Sequence, residues 1–273
     1  MVLKIAKKAV MKYNKHFSFF KTFVDTERRL AILLNPKVLT TFTRKFLCDG
    51  LYKFHGRSDP SEGRYRFFNN ARRFPVARLK EYHHFYHHSE EYDILAFVRN
   101  PYSRVFSGWR DKFYDGHNNS LDGRISGYPR SMRRSELKAA RSFCRSNGLM
   151  GGSAGELVPF DSFIRYLAAI PEGNRNQHWD QQALILQQPQ LKLSSVFQIE
   201  GQLRDGICEV ARRLEFDESW AVEQLGRKAN ASSRHIGPNP FTRELAELVY
   251  VTSKADFELF KYSKDSYKLL WGC

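Results

Sequence analysis

Two short stretches of this chain set cations beside hydroxyls at strand-to-helix turns. The first is "NPKVLTTFT" over residues 35–43, where Lys37 follows an Asn-Pro break and precedes Thr40, Thr41 and Thr43. Such a turn suits a phosphate. The unbonded N–H groups and positive dipole end of the following helix attract an anion. A lysine before them adds a mobile charge that reaches a bridging or terminal oxygen. The second is "VRNPYSRVFSGWRDKF" over residues 98–113. Arg99 stands at a strand end, Pro101 is placed to open a helix, and Ser103 and Ser107 are one turn apart on one face. A rigid guanidinium fork with a serine hydroxyl cradles a phosphate monoester. Arg99 can equally cap a sheet edge, and Lys37 can be an ordinary loop lysine with the threonines as helix caps.

Histidines supply the candidate bases. His178, followed by Trp179 in "NQHWDQQ", suits a general base beside an aromatic sugar platform, although a structural histidine fits the spacing as well. In "YHHFYHH", His83 and His87 are four apart, as are His84 and His88. Either pair has the spacing to chelate a metal from one helix face. No third ligand matches and the H-E-x-x-H glutamate is missing, so no metal is expected. The glycines of a Walker A loop are also missing.

These groups need elements to hold them. "LAILL" (30–34) and "DILAFV" (93–98) are continuous apolar runs of the kind buried in parallel sheets, and 195–199 is a weaker strand. Helical spacing follows each turn, over Phe42 to Phe54 and Val105 to Phe113. Further helices are expected at about 71–86, 135–146, 160–170, 203–214 and 241–251. Strands alternating with helices imply an α/β fold with a parallel sheet flanked by helices. No linker divides the chain, so one domain is expected over 1–273, with 1–28 as a basic helical extension. That extension either packs on its own domain or lies on an anionic membrane surface.

The composition bounds the partners. A formal charge of +15 over 273 residues favours polyanions, including nucleotide phosphates and acidic glycans. Cys48, Cys144, Cys208 and Cys273 form no CxxC pair, and free thiols in a reducing compartment are expected. No run approaches the roughly 18–20 apolar residues of a membrane span.

Together these stretches resemble the carbohydrate sulfotransferases, in the branch that includes the chondroitin 4-O- and HNK-1-type enzymes and their bacterial relatives. "PKVLTTF" is similar to that family's PK-V-x-[CST]-T motif, and "VRNPYSRVFSGW" to its VR-[DN]-P-x-x-R-x-x-S-[AG]-[YW] motif. "NQHWDQQ", "FQIEGQLRDG" and "ADFELFKYS" resemble HW-x-x-Q, E-x-L-x-x-D and D-F-x-x-F-x-Y segments in the family's order. Phe42 and Thr43 depart from the small polar residue and Trp usual there.

The resemblance implies a P-loop-NTPase-like sulfotransferase fold and PAPS (3′-phosphoadenosine 5′-phosphosulfate) as co-substrate, with no metal. It implies that Lys37, Val38, Leu39, Thr40 and Thr41 bind the 5′ phosphosulfate, and that Arg99 and Ser107 bind the 3′ phosphate. Lys37 and His178 are the expected catalytic residues, with the His83/His84 group as an alternative base. The acceptor is expected to be a carbohydrate or glycolipid, anionic if the arginine-rich loop at 115–134 contacts it. Without the membrane anchor of animal relatives, a cytoplasmic, bacterial enzyme is expected, with peripheral membrane contact through the N-terminal helix as a further expectation. Two other readings stand beside this one. A catalytically altered relative would keep the fold without turnover, and a basic nucleic-acid binder would show stacking motifs or a recognition helix, which the sequence lacks.

Overall fold

The computed structural model describes residues 22–56, 79–114, 130–150, 157–187, 191–226 and 239–270. The chain divides into two compact units that interleave along the sequence. The first comprises Met1–Arg99 with Gln182–Ala231, and the second Asn100–Gln181 with Ser232–Cys273.

The first unit is built on a four-stranded sheet in the order β1 (Thr22–Asp25), β2 (Leu30–Leu33), β3 (Asp93–Val98) and β4 (Ser195–Gln198). Strands β2, β3 and β4 are parallel, as the apolar runs imply, and β1 is antiparallel to β2. The sheet is therefore mixed at one edge. Residues 22–28 are strand and turn, where a helical extension was expected. A four-residue turn, 26–29, reverses the chain so that Thr22 pairs with Leu33. The preceding residues, 1–21, and with them the amphipathic helix, lie outside the described part.

Side chains alternate across β2 and β3. Leu30, Ile32, Leu95 and Phe97 enter a core completed by α1 (Thr40–His55), α7 (Leu203–Arg213) and α8 (Glu218–Gly226). Ala31, Leu33, Ile94, Ala96 and Val98 occupy the alternate positions and are equally buried, as strands covered on both faces require. Gly206 of α7 permits a close approach to the sheet. A Cβ there would come within 2.5 Å of the Phe97 ring and 2.7 Å of the Phe197 ring.

The second unit is helical. It contains α3 (Pro101–Trp109), a π-helical turn at Arg110–Tyr114, α4 (Arg130–Ser146), α5 (Phe160–Ala169), α9 (Arg243–Thr252) and α10 (Lys254–Leu259). Tyr102, Phe106, Phe113, Phe163, Trp179 and Phe257 are among the side chains of its core. The short helix α6 (Gln182–Leu186) begins where the chain re-enters the first unit. Helix α2 (Leu79–His87) precedes β3 in the first unit. No helix among the described residues is long and apolar enough to cross a membrane.

Candidate active site

Parallel pairing positions the Lys37 turn of the first unit. Leu33 pairs with Ala96 at the end of the β2–β3 ladder, so the chain leaves both strands at the same edge, where open α/β sheets bind ligands. From β2 it enters a tight turn. Val38 N–H donates to the Asn35 carbonyl at 3.2 Å, and the Thr40 hydroxyl donates to the same oxygen at 2.8 Å. Val38, at 2% exposure, anchors the turn in the core.

Backbone strain is concentrated here. Lys37 has φ 68° and Leu39 φ 51°, a left-handed region that costs non-glycine residues about 1–2 kcal/mol each. Such outliers gather at ligand clamps, where surrounding structure holds them. Leu39 is the N-cap of α1 and no side chain caps it. Thr40 and Thr41 are therefore its first helical residues, not its caps, and the first turn contains no acidic residue. An uncapped helix N-terminus following a half-exposed lysine has the chemistry that suits an oxyanion. Of the expected ligand-binding residues in this turn, Val38 has spent its N–H on turn closure, while Thr41 is exposed.

Arg99 joins this turn from β3. Its guanidinium donates to the Lys37 carbonyl at 3.3 Å. The two motifs, 62 residues apart in sequence, thus meet within the first unit. Gln182 ties them further. Its Oε1 accepts from the Arg99 backbone N–H at 2.9 Å and from Asn35 Nδ2 at 2.8 Å, and its Nε2 donates to the Arg99 carbonyl at 2.8 Å.

The start of α3 is closed by its own N-cap residue. Asn100 accepts from Tyr102 N–H at 3.0 Å and donates to Ser266 Oγ at 2.8 Å. Pro101, at the first helical position, has no N–H. The helix end is thus already capped, which leaves anion binding to side chains. Ser107, expected beside Arg99, is a buried residue of α3 in the second unit. Arg104 is 2% exposed and donates to the carbonyls of Asp180 and Gln177, the latter at 2.8 Å. It is a strut for the loop that carries His178. Gly108 has a related task. A Cβ there would lie 3.3 Å from the His178 carbonyl oxygen.

His178 itself is oriented by Asn176. The His178 backbone N–H donates to Asn176 Oδ1 at 3.1 Å, and the ring Nδ1 lies 2.6 Å from the same oxygen. A backbone N–H only donates, so it fixes which atom of the Asn176 amide is the oxygen. Nδ1 must then carry the proton, and in the neutral ring Nε2 holds the lone pair. Asn176 Nδ2 in turn donates to Glu136 on α4 at 3.0 Å. A base oriented by a second group, itself oriented by a third, is the arrangement acid–base catalysis uses. The loop is also held at its start, where buried Arg175 donates to the carbonyls of Leu167, Ile170 and Thr252. Burial pulls the Arg175 guanidinium below its ordinary pKa.

The alternative base group, His83 and His84 on α2, has local partners. His84 Nδ1 sits 3.0 Å from the Tyr92 hydroxyl, and His88 pairs with Glu91 at 3.4 Å. Among the described residues, His88, Glu90 and Glu91 come close enough to share a cation, but all are exposed and Glu91 also pairs with Arg29 at 3.0 Å. Cys48, Cys144 and Cys208 are free thiols, and burial pushes the Cys144 thiol up.

Gln182, Asn176 and Glu136 are absent from the sequence-derived site. Only "HWDQQ", similar to HW-x-x-Q, pointed toward Gln182.

The first unit thus offers an uncapped helix N-terminus at the carboxyl ends of its parallel strands, and the second unit, described by itself, an imidazole oriented by Asn176. The family model described as "Sulfotransferase family" matches residues 20–263. The chain belongs to that family and is a sulfotransferase. No curated protein and no solved structure matches it significantly.

Proposed function

We propose that the chain transfers a sulfuryl group from PAPS to a hydroxyl of a carbohydrate acceptor. The carrying observation is the uncapped N-terminus of α1 behind the left-handed Lys37–Leu39 turn, with Arg99 bonded to that turn. This cradle suits a phosphosulfate, because backbone N–H groups held rigid before the reaction stabilise charge at little cost in reorganisation.

In this reading the acceptor oxygen attacks sulfur in line, forming a new O–S bond as the bond to the 5′ phosphate breaks. Lys37 takes the negative charge appearing on the departing phosphate, with the N–H groups of Thr40 and Thr41. Arg99, as in the resembling motif, holds the 3′ phosphate, with Ser107 as the hydroxyl of the same motif. His178 removes the acceptor proton through Nε2, and the Asn176 bond that keeps Nδ1 protonated supports this assignment. The acceptor is read as a carbohydrate or glycolipid, and the cell compartment as cytoplasmic. Both rest on the resemblance, and the +15 charge suits an anionic acceptor.

The test compares binding of adenosine 3′,5′-bisphosphate, the product of transfer, with AMP. A tighter bisphosphate, by tenfold or more, is expected from an added Arg–phosphate contact. Equal affinity would refute the donor assignment.

A further inference from the structure

Gln182 is fully buried, at 0% exposure, and carries neither charge nor nucleophile. Its position is what matters. The β2–β3 backbone ladder ends at Leu33 and Ala96. Beyond that point, Gln182 continues the hydrogen bonding between the two chain segments, gripping the Arg99 backbone at its N–H and its carbonyl and the Asn35 side chain after β2.

The direction of every bond is fixed by backbone chemistry. Arg99 N–H can only donate and its carbonyl can only accept. Gln182 must therefore present Oε1 to the N–H and Nε2 to the carbonyl. Asn35 must then turn Nδ2 toward Oε1. That leaves Asn35 Oδ1 buried without a partner among the described residues, a costly state for an amide oxygen. A bond kept at such a cost favours holding the strand ends in one arrangement over stability alone. The Asn35 carbonyl closes the Lys37 turn, so Gln182 connects the backbone of Arg99 with the base of the lysine turn.

We infer that Gln182 is a positioning residue, acting through Arg99 to set its guanidinium against the Lys37 turn so that both grip one doubly phosphorylated nucleotide. The inference rests on the donor reading above and adds a residue that touches no ligand.

Calorimetric binding of adenosine 3′,5′-bisphosphate and AMP tests it in the full chain, with Gln182→Met, Arg99→Met and the double variant. Gln182→Met is expected to raise the bisphosphate Kd about tenfold and the AMP Kd less than about threefold. In the Arg99→Met background, Gln182→Met should add less than about twofold, because both changes act on one contact. A purely structural glutamine would lower the melting temperature and leave selectivity intact. That result, or additive losses, overturns the inference. Gln182→Glu guards against misfolding. It keeps both accepted bonds and sets oxygen against the Arg99 carbonyl, so a selectivity loss of about threefold or more is expected and full selectivity overturns the proposal. A wild-type chain that does not distinguish bisphosphate from AMP refutes the donor reading itself, a separate outcome.

Discussion

Arg104 offers the sharpest test of how the His178 loop is built. Its guanidinium is buried and donates to two backbone carbonyls, those of Gln177 and Asp180. Arg104→Met keeps most of the side-chain volume, so the cavity term is small. It removes two charge-assisted bonds, each contributing about 1.5–3 kcal/mol, and leaves one buried and one partly buried carbonyl without these donors. The expected loss is about 3–5 kcal/mol, the range found when one side of a buried charged contact is deleted. Arg104→Lys keeps the charge but lacks the planar fork that serves two acceptors, so about half the loss is expected. Urea unfolding at pH 7 measures both, from the midpoint at constant slope. Turnover should fall with stability, because His178 sits between the two braced carbonyls, and a displacement of about 1 Å at a catalytic group costs on the order of 10²-fold in rate. A loss under about 1 kcal/mol for Arg104→Met, or full turnover from the folded variant, would refute the strut assignment.

Four further outcomes are expected. Lys37→Met should lower kcat with PAPS about 10²–10³-fold while thermal melts stay near wild type, and normal turnover removes Lys37 from the chemistry. His178→Ala should lower kcat about 10²–10⁴-fold with donor affinity unchanged; an equal rise in donor Kd would mean that the ring binds nucleotide instead. At Leu39, φ 51°, Gly should be more stable than Ala by about 1 kcal/mol in paired melts, reversing the usual order, and an Ala advantage would show the turn unstrained. Burial pushes the Tyr166 phenol up to about 12 from its ordinary 10.0. The folded chain keeps that proton while an unfolded chain releases it, so the contribution to stability is whole below pH 10 and is lost as pH rises toward 12. Tyr166→Phe should flatten the alkaline decline in melting temperature, and an unchanged curve contradicts the assignment.

The parallel strands were legible because β2 and β3 are buried on both faces and read as unbroken apolar runs. β1 was not, since "TFVD" is too short for a pattern and lies in a lysine-rich stretch. Helix α8 was missed for a related reason. Trp220, Ala221 and Gln224 are its buried residues, too few for a clear stripe. At the site, Lys37 and Arg99 announced themselves by residue type beside Asn-Pro breaks. Arg104 did not announce its role, because its partners are backbone carbonyls, which every residue possesses. Gln182 was hidden the same way. Two of its bonds go to the backbone N–H and carbonyl of one residue, Arg99, and sequence pattern carries no signal for that. Asn176 is legible only once His178 is seen to fold back on it two residues later.

The interleaving of the two units bears on how the chain is made. Leu95 on β3 pairs with Ser195 on β4, and the first unit is complete only when Gln182–Ala231 has been synthesised. At synthesis rates of 5–20 residues per second, β3 waits about 5–20 s for its second neighbour. Throughout that interval a strand of six apolar-rich residues, "DILAFV", has one unpaired hydrogen-bonding edge, a template for joining another nascent chain. The same Arg99 peptide that ends this strand receives Gln182 just before β4 arrives. The yield of this enzyme therefore depends on how that open edge is kept from other chains during synthesis.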